Sequence, residues 1–297
     1  MTWHWRLSTN ASFAKAGLFL LLSCLSACDA GGAEETPSAS KSGTLTFGSW
    51  MAQEHARVAS QPDQRADATK FRPLDEQILA TLLCDLPGSV VGIHDLRNAG
   101  LELGPGNLGY VQPPIRSALQ AALQATSDSD CPHPAKNLRL YFDLRTIAQQ
   151  QFWGRVLESD PDALVAAPAS SWHLAGVAID AWEPEEWSCV LTRAGLQPLS
   201  DPEIRRRDPN HFEMRTDETR DLRQASVKAF QRLHNANQSS GGTTLEEDGL
   251  YGPATEAALM QAPVEGFAAL PPSCPSLNAS STSGAPLQAP FLSTPEP

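Results

Sequence analysis

The chain has 297 residues, 41% of them hydrophobic and 19% charged, with a formal net charge of −12. That length holds one or two globular domains, and the acidic balance excludes the usual nucleic-acid binder, which needs cations to neutralise phosphate. The 24 prolines and 20 glycines gather toward both ends, which shortens the stretch that must build a core.

Residues 1–27 read as an export signal, with Arg6 and Lys15 ahead of an apolar stretch at 16–27. About a dozen apolar residues is the length of a signal core and falls short of the roughly 20 that span a bilayer. Leu25-Ser26-Ala27-Cys28 resembles the lipobox of bacterial lipoproteins. It implies cleavage before Cys28, acylation of that thiol, and a membrane-anchored protein facing the periplasm or the cell exterior. Asp29 follows, and in a Gram-negative source an Asp there resembles a signal for inner-membrane retention. Residues 28–70 are mostly small and polar and are expected to be a flexible tether, with Phe47 and Trp50 as its large apolar exceptions. Export makes disulfides persist, so Cys84, Cys131, Cys189 and Cys274 are expected to form two bridges, with three pairings open. No two of them stand in a C-x-x-C spacing, which argues against a cysteine-rich zinc knuckle.

Periodicity predicts helices at 74–83, at 115–123 after Pro113-Pro114, and at 147–157. Leu138, Leu140, Phe142 and Leu144 alternate as in a half-buried strand, and 176–181 and 211–214 are further short strands. Gly104-Pro105-Gly106-Asn107-Leu108-Gly109 satisfies G-x-G-x-x-G but runs into Pro113-Pro114 without opening a helix, so it is read as a loop. The mixture predicts an α+β domain over 71–217, a small antiparallel sheet with flanking helices. From 218 the pattern turns helical, breaks at Gly241-Gly242 and resumes at 255–260, which predicts a separate helical domain over 218–270. The Ser/Pro-rich end, 271–297, is expected to be disordered.

Ser171-Trp172-His173-Leu174-Ala175-Gly176-Val177-Ala178-Ile179-Asp180 places an imidazole and a carboxylate on one extended segment. Zn²⁺ takes such donors and, in catalytic sites, keeps a position open for water. Asp208-Pro209-Asn210-His211-Phe212-Glu213 adds a second imidazole with a carboxylate three residues before it. Alone, the first segment reads as a packed core histidine and the second as a polar turn before an edge strand. Together they resemble the zinc D-alanyl-D-alanine carboxypeptidase and L-alanyl-D-glutamate endopeptidase family, whose fold is shared with hedgehog and lysostaphin-type proteins. The family pattern S-x-H-x-x-G-x-A-x-D, followed by a carboxylate, two residues and H, is met by Ser171, His173, Gly176, Ala178, Asp180, Asp208 and His211. The resemblance implies that His173, Asp180 and His211 hold Zn²⁺ and that Asp208 is the catalytic base. It also places Arg145-Thr146 and Gln149 in the family's upstream Arg-Ser/Thr…Gln element. There Arg145 would bind a substrate carboxylate or polarise the carbonyl, with Gln149 and Ser171 as further substrate-site residues. Asp208 and the His-Phe-Glu run are closer to the endopeptidase branch, whereas Pro209-Asn210 departs from it; D,D-carboxypeptidase activity stays open.

Phe230-Gln231, then Asp248-Gly249-Leu250-Tyr251-Gly252-Pro253-Ala254-Thr255-Glu256-Ala257-Ala258-Leu259, resembles the small three-helix peptidoglycan-binding domain, with a helix-turn-helix as the plain alternative. Trp153, Trp172, Trp182 and Trp187 crowd the site region and are read mostly as core, while His55, His94, His133 and His234 lack a matching frame. Ser171 has no ordered acid partner to make it a nucleophile. The expected function is zinc-dependent hydrolysis of peptidoglycan stem peptides at the cell envelope; the alternative is a non-catalytic wall-binding lipoprotein that keeps the fold.

Overall fold

Proline marks where several helices begin, because its fixed φ and missing N–H cost nothing in a first turn. It stands in the first turn of five α-helices among the described residues. In chain order the elements are α1 (Phe47–Ser60), α2 (Arg72–Asp85), β1 (Val91–Gly92), β2 (Leu101–Leu103), β3 (Tyr110–Val111), α3 (Pro113–Gln124) and β4 (Leu138–Phe142). They continue with α4 (Ile147–Val156), β5 (Ala178–Ala181), α5 (Pro184–Arg193), β6 (Gln197–Pro198), α6 (Pro202–Arg207), β7 (His211–Glu213), α7 (Arg223–Ala236) and α8 (Pro253–Gln261). This computed structural model describes residues 44–61, 66–125, 131, 134–158, 160, 163–239 and 242–274. The export signal, Cys28, Asp29 and the tail beyond 274 lie outside the described residues.

The five-stranded sheet runs β2-β4-β5-β7-β6. β4 buries Leu138 and Leu140 and exposes Arg139, as its alternation predicts. The expected antiparallel sheet is in fact mixed: β2 pairs with β4 in parallel, and the other pairings are antiparallel. A parallel neighbour requires a crossover, and the chain between β2 and β4, which includes α3, provides it. The six-residue glycine motif is a loop, as read: Gly104 N–H donates to the Leu140 carbonyl at 2.9 Å. Gly109 has φ +77°, and a Cβ there would lie 2.3 Å from His94 Nε2.

The tether expected over 28–70 is corrected in its last part, where residues 47–60 form α1. Thr46 caps it by accepting from Ser49 N–H at 3.2 Å. Phe47, Trp50 and Met51 stand at i, i+3 and i+4 and are all buried, so one face carries enough apolar surface to repay ordering. Each buried ring contributes about 2–3 kcal/mol by transfer bookkeeping. Phe47 meets Phe71 edge-on at 5.1 Å, and Trp50 stacks on Phe152 of α4 at 5.2 Å. The aromatic cluster continues through Trp153 to Phe142 of the sheet, 5.0 Å away.

The expected boundary near 217 is not a boundary in space, since the described residues from Thr44 to Cys274 belong to one compact unit. α7 lies along α2, and α8 lies along α1. Phe47 N–H donates to the Ala262 carbonyl at 2.7 Å and Val264 N–H to the Leu45 carbonyl at 3.1 Å. The described part of 218–270 contains two helices rather than three, and helices from the N-terminal part complete their packing. Of the three disulfide pairings, the structure has Cys84–Cys274 and Cys131–Cys189, with Cα atoms 5.4 and 5.7 Å apart. Cys84–Cys274 spans 190 residues, and closing such a loop removes about 5 kcal/mol of unfolded-chain entropy by the loop-length relation. It ties the start of the expected tail to α2.

Asp75 is 1% exposed, accepts the Thr146 hydroxyl, and leaves Oδ2 without a hydrogen-bond partner. Burial pushes its carboxyl up to about 8, against the pull of Thr146, Gln149 and Arg72. The unfolded chain releases this proton at about pH 4, so Asp75 makes stability fall as pH rises from about 4 toward about 8. Asp75→Asn keeps an acceptor for Thr146 and removes that slope. Its melting temperature should therefore exceed that of the native protein by a margin that grows between pH 5 and pH 8. Thermal unfolding at both pH values checks this, and an equal margin at both would contradict it.

Candidate functional site

Three segments bring the expected ligands together. Ser171 caps the 3₁₀ turn Trp172–Ala175 by accepting from His173 N–H at 3.3 Å. Gly176 closes the turn at φ +69°, where a Cβ would stand 3.1 Å from Leu144 Cδ1 and 3.3 Å from Val90 Cγ1. The chain then enters β5, and the β5–β7 register sets Asp180 directly opposite His211. His173 Nε2 lies 3.2 Å, and His211 Nδ1 3.1 Å, from the same Asp180 oxygen. The three candidate ligand atoms are within 4.8 Å of one another, and all three residues are buried.

The outer atoms of two of these residues are already engaged. His173 Nδ1 is 2.8 Å from the Asp143 carbonyl. A carbonyl only accepts, so Nδ1 carries the proton and Nε2 presents its lone pair toward Asp180. Asp180 Oδ2 accepts from Arg145 Nη2 at 2.7 Å, leaving Oδ1 for the cluster. A bare nitrogen and a carboxylate oxygen thus face each other with no donor of their own between them. That arrangement suits a cation. Bonds of about 2.0–2.1 Å to Zn²⁺ put neighbouring donors about 3.3 Å apart, close to the 3.2 and 3.1 Å that separate the two imidazole nitrogens from Asp180 Oδ1, and the N, N, O donor set fits the ion.

Electrostatics divide the two histidines. Burial, reinforced by the Arg145 charge, pushes His173 down to about 4. Burial acts on His211 as well, but its contacts with Asp180 and Glu213 outweigh it and raise the imidazole to about 9. Burial opposes the charge on Asp180, yet His173, His211 and Arg145 hold its carboxyl well below the usual range. Asp208, half-buried at the end of α6, is pushed up to about 6 by burial and then by the Asp180 charge, against His211 and Arg145.

Arg145 is 8% exposed and lies 4.0 Å over the Phe142 ring. Its Nη1 donates to Gln150 at 3.2 Å, and its Nε is buried without a hydrogen-bond partner. Gln149 is not in this constellation. Its side chain donates to the Gly106 carbonyl at 2.9 Å, and the glutamine that meets Arg145 is Gln150. The helical turn carries position 150 toward the guanidinium and 149 away from it. Ser171 is 5% exposed and acts on the backbone as a cap. Two residues beside the cluster are not among the expected site residues: Asp143 contributes a backbone carbonyl, which leaves no signature in sequence, and Glu213, whose Oε2 lies 3.5 Å from His211 Nε2, carries a signal only through its spacing from His211 on one strand.

The motif of the helical segment turns inward. Buried Gln231 donates to Asp248 Oδ1 at 2.9 Å, the Leu250 carbonyl at 3.1 Å and Thr255 Oγ1 at 3.2 Å, and accepts from Gly249 N–H at 2.8 Å. The conspicuous Gln, Asp, Gly and Thr therefore join α7 to the loop before α8. Trp187 and Trp153 pack inward, Trp182 stacks on Tyr141, and Trp172 carries the guanidinium groups of Arg215 and Arg223. Cys84, Asp85 and Cys274 also cluster, but their sulfurs are joined to each other.

In the metal-free protein, His211 should titrate near pH 9 and His173 should stay neutral until about pH 4. Imidazole resonances followed by NMR across that range test this, and two histidines titrating together near 6.5 would contradict the geometry. No family model matches the chain, and searches of curated proteins and of solved structures find no match either.

Proposed function

We propose that the protein is a zinc-dependent peptidase of peptidoglycan stem peptides, an L-alanyl-D-glutamate endopeptidase or a D,D-carboxypeptidase. The observation that carries this reading is the buried set of His173, Asp180 and His211, whose ligand atoms converge within 4.8 Å with Arg145 bonded to Asp180. The substrate class comes from the resemblance of the two sequence motifs.

His173, Asp180 and His211 would hold the ion, which when bound supplies Lewis acidity toward a carbonyl and toward water. Asp208, raised to about 6, is mostly ionised at neutral pH and basic enough to accept a proton, the compromise that a general base needs. It takes the proton of the attacking water and returns it to the departing amine. The guanidinium of Arg145 adds a fixed positive charge beside the reacting carbonyl or a substrate carboxylate, and its unpartnered Nε is a donor still to be used. The helical segment 218–270 is proposed to hold the enzyme on peptidoglycan, and acylated Cys28 to hold it at the membrane.

Digestion of purified muropeptides, with products read by mass, tests the reading. Chelation should abolish cleavage. Loss of a terminal D-alanine would assign carboxypeptidase activity, and a break after L-alanine would assign endopeptidase activity. Zinc binding and wall binding without any product would favour a non-catalytic wall-binding lipoprotein instead.

Asp208→Ala should keep its zinc and lose about 10²–10⁴-fold in rate; an unchanged rate removes Asp208 from the mechanism. Cys28→Ser should move the protein from the membrane to the soluble fraction, and continued membrane association would sink the lipid anchor.

A further inference from the structure

Glu213 is 8% exposed, yet it carries a carboxylate, which costs several kcal/mol to bury unless partners hold it. It stands two residues after His211 on β7, so the two side chains share a face of the sheet. Its register partners are Ala178 on β5 and Gln197 on β6. The alanine of the 171–180 segment is thus the small residue opposite Glu213, where a larger one would compete for the same space.

The carboxylate has one firm partner and one open oxygen. Oε1 accepts from Arg215 Nη2 at 2.7 Å. Oε2 lies 3.5 Å from His211 Nε2 and has no hydrogen-bond partner. His211 meanwhile points Nδ1 at Asp180. A neutral imidazole offers a lone pair at Nδ1 only if its proton sits on Nε2, and an acceptor at Nε2 selects that tautomer. His173 obtains the same service from the Asp143 carbonyl. On the side of His211, among the described residues, Glu213 places an acceptor oxygen 3.5 Å from Nε2.

We infer that Glu213 is a positioning residue that orients His211 and fixes its tautomer so that Nδ1 faces a metal ion. Arg215 holds Glu213 in place and packs 4.8 Å over the ring of Trp172, the residue before His173. Arg223 of α7 lies on the same ring at 3.9 Å and donates to the Ser170 carbonyl at 3.2 Å. A continuous set of contacts therefore runs from His211 to the turn that carries His173, and α7 braces it. Glu213 is not one of the three clustered ligands; it acts through His211.

The inference rests on the zinc reading, and zinc binding by the purified full chain, measured by competition with a chromophoric chelator, separates the two. A native protein that binds no zinc overturns the zinc reading and this inference with it. If the native protein binds, Glu213→Ala should weaken zinc by about 10–100-fold, while Glu213→Gln, which keeps an acceptor, should recover part of the loss. The visible absorption of the cobalt(II)-loaded protein should change in Glu213→Ala, because the geometry around the ion changes. A melting curve of the metal-free variant checks that it folds; should it not, Arg215→Ala takes its place, with a several-fold loss expected. Native zinc affinity and an unchanged cobalt spectrum in the folded variant would overturn the role of Glu213.

Discussion

Asp180 is the group on which the arrangement turns. Its Oδ1 is shared by two imidazoles and its Oδ2 is bound by Arg145, all away from solvent. An uncompensated buried carboxylate costs several kcal/mol, so each neighbour has to arrive in the correct place. The β5–β7 register brings His211, the Gly176-terminated turn brings His173, and the chain just past β4, whose Arg145 N–H donates to the His173 carbonyl, brings Arg145. Arg145 in turn depends on packing further away. It rests on Phe142, which touches Trp153, and it precedes the Thr146 cap of α4 that is bonded to Asp75 of α2.

The helical segment is part of the same construction. Gln112 donates to the Ala175 carbonyl at 2.6 Å and accepts from Arg220 N–H at 2.9 Å, which links the His173 turn to the chain entering α7. Arg223 and the Cys84–Cys274 bridge add two further ties. Any contact of this segment with a wall polymer would thus be made by a surface packed against the proposed peptidase site.

The site is built at a cost to stability. Asp75 and Asp143 are buried with raised pKa values, and each has an oxygen lacking a hydrogen-bond partner. Both stand beside backbone that orients site residues: Asp75 at the α4 cap, and Asp143 where its carbonyl meets His173. The Asp143 carboxylate also accepts from Gly109 N–H at 2.7 Å, anchoring the glycine loop. Polar groups buried at such points trade stability for a single geometry.

Local pattern by itself determined a good deal here. The sequence pattern predicted the α2, α3, α4, α7 and α8 helices and the β4, β5 and β7 strands, and apolar spacing carried α3 and β4, because side-chain periods of 3.6 and 2 are set by the backbone alone. The two His/Asp segments named the three residues of the cluster, two imidazoles that meet one carboxylate oxygen. Other features were decided only by the tertiary structure. The chain around Phe47 folds as a helix because partners more than 100 residues away, Phe152 and Met260, lie against it. The disulfide pairing, the parallel β2–β4 contact and the merging of 218–270 with the N-terminal helices all depend on which distant surfaces meet. Gln150 rather than Gln149 reaches Arg145, a matter of about 100° around one helix, and Glu213 lies beside His211 because Ala178 and Arg215 make room for it and hold it. Residue types in a string specify what chemistry is available, but only packing selects which atoms face one another.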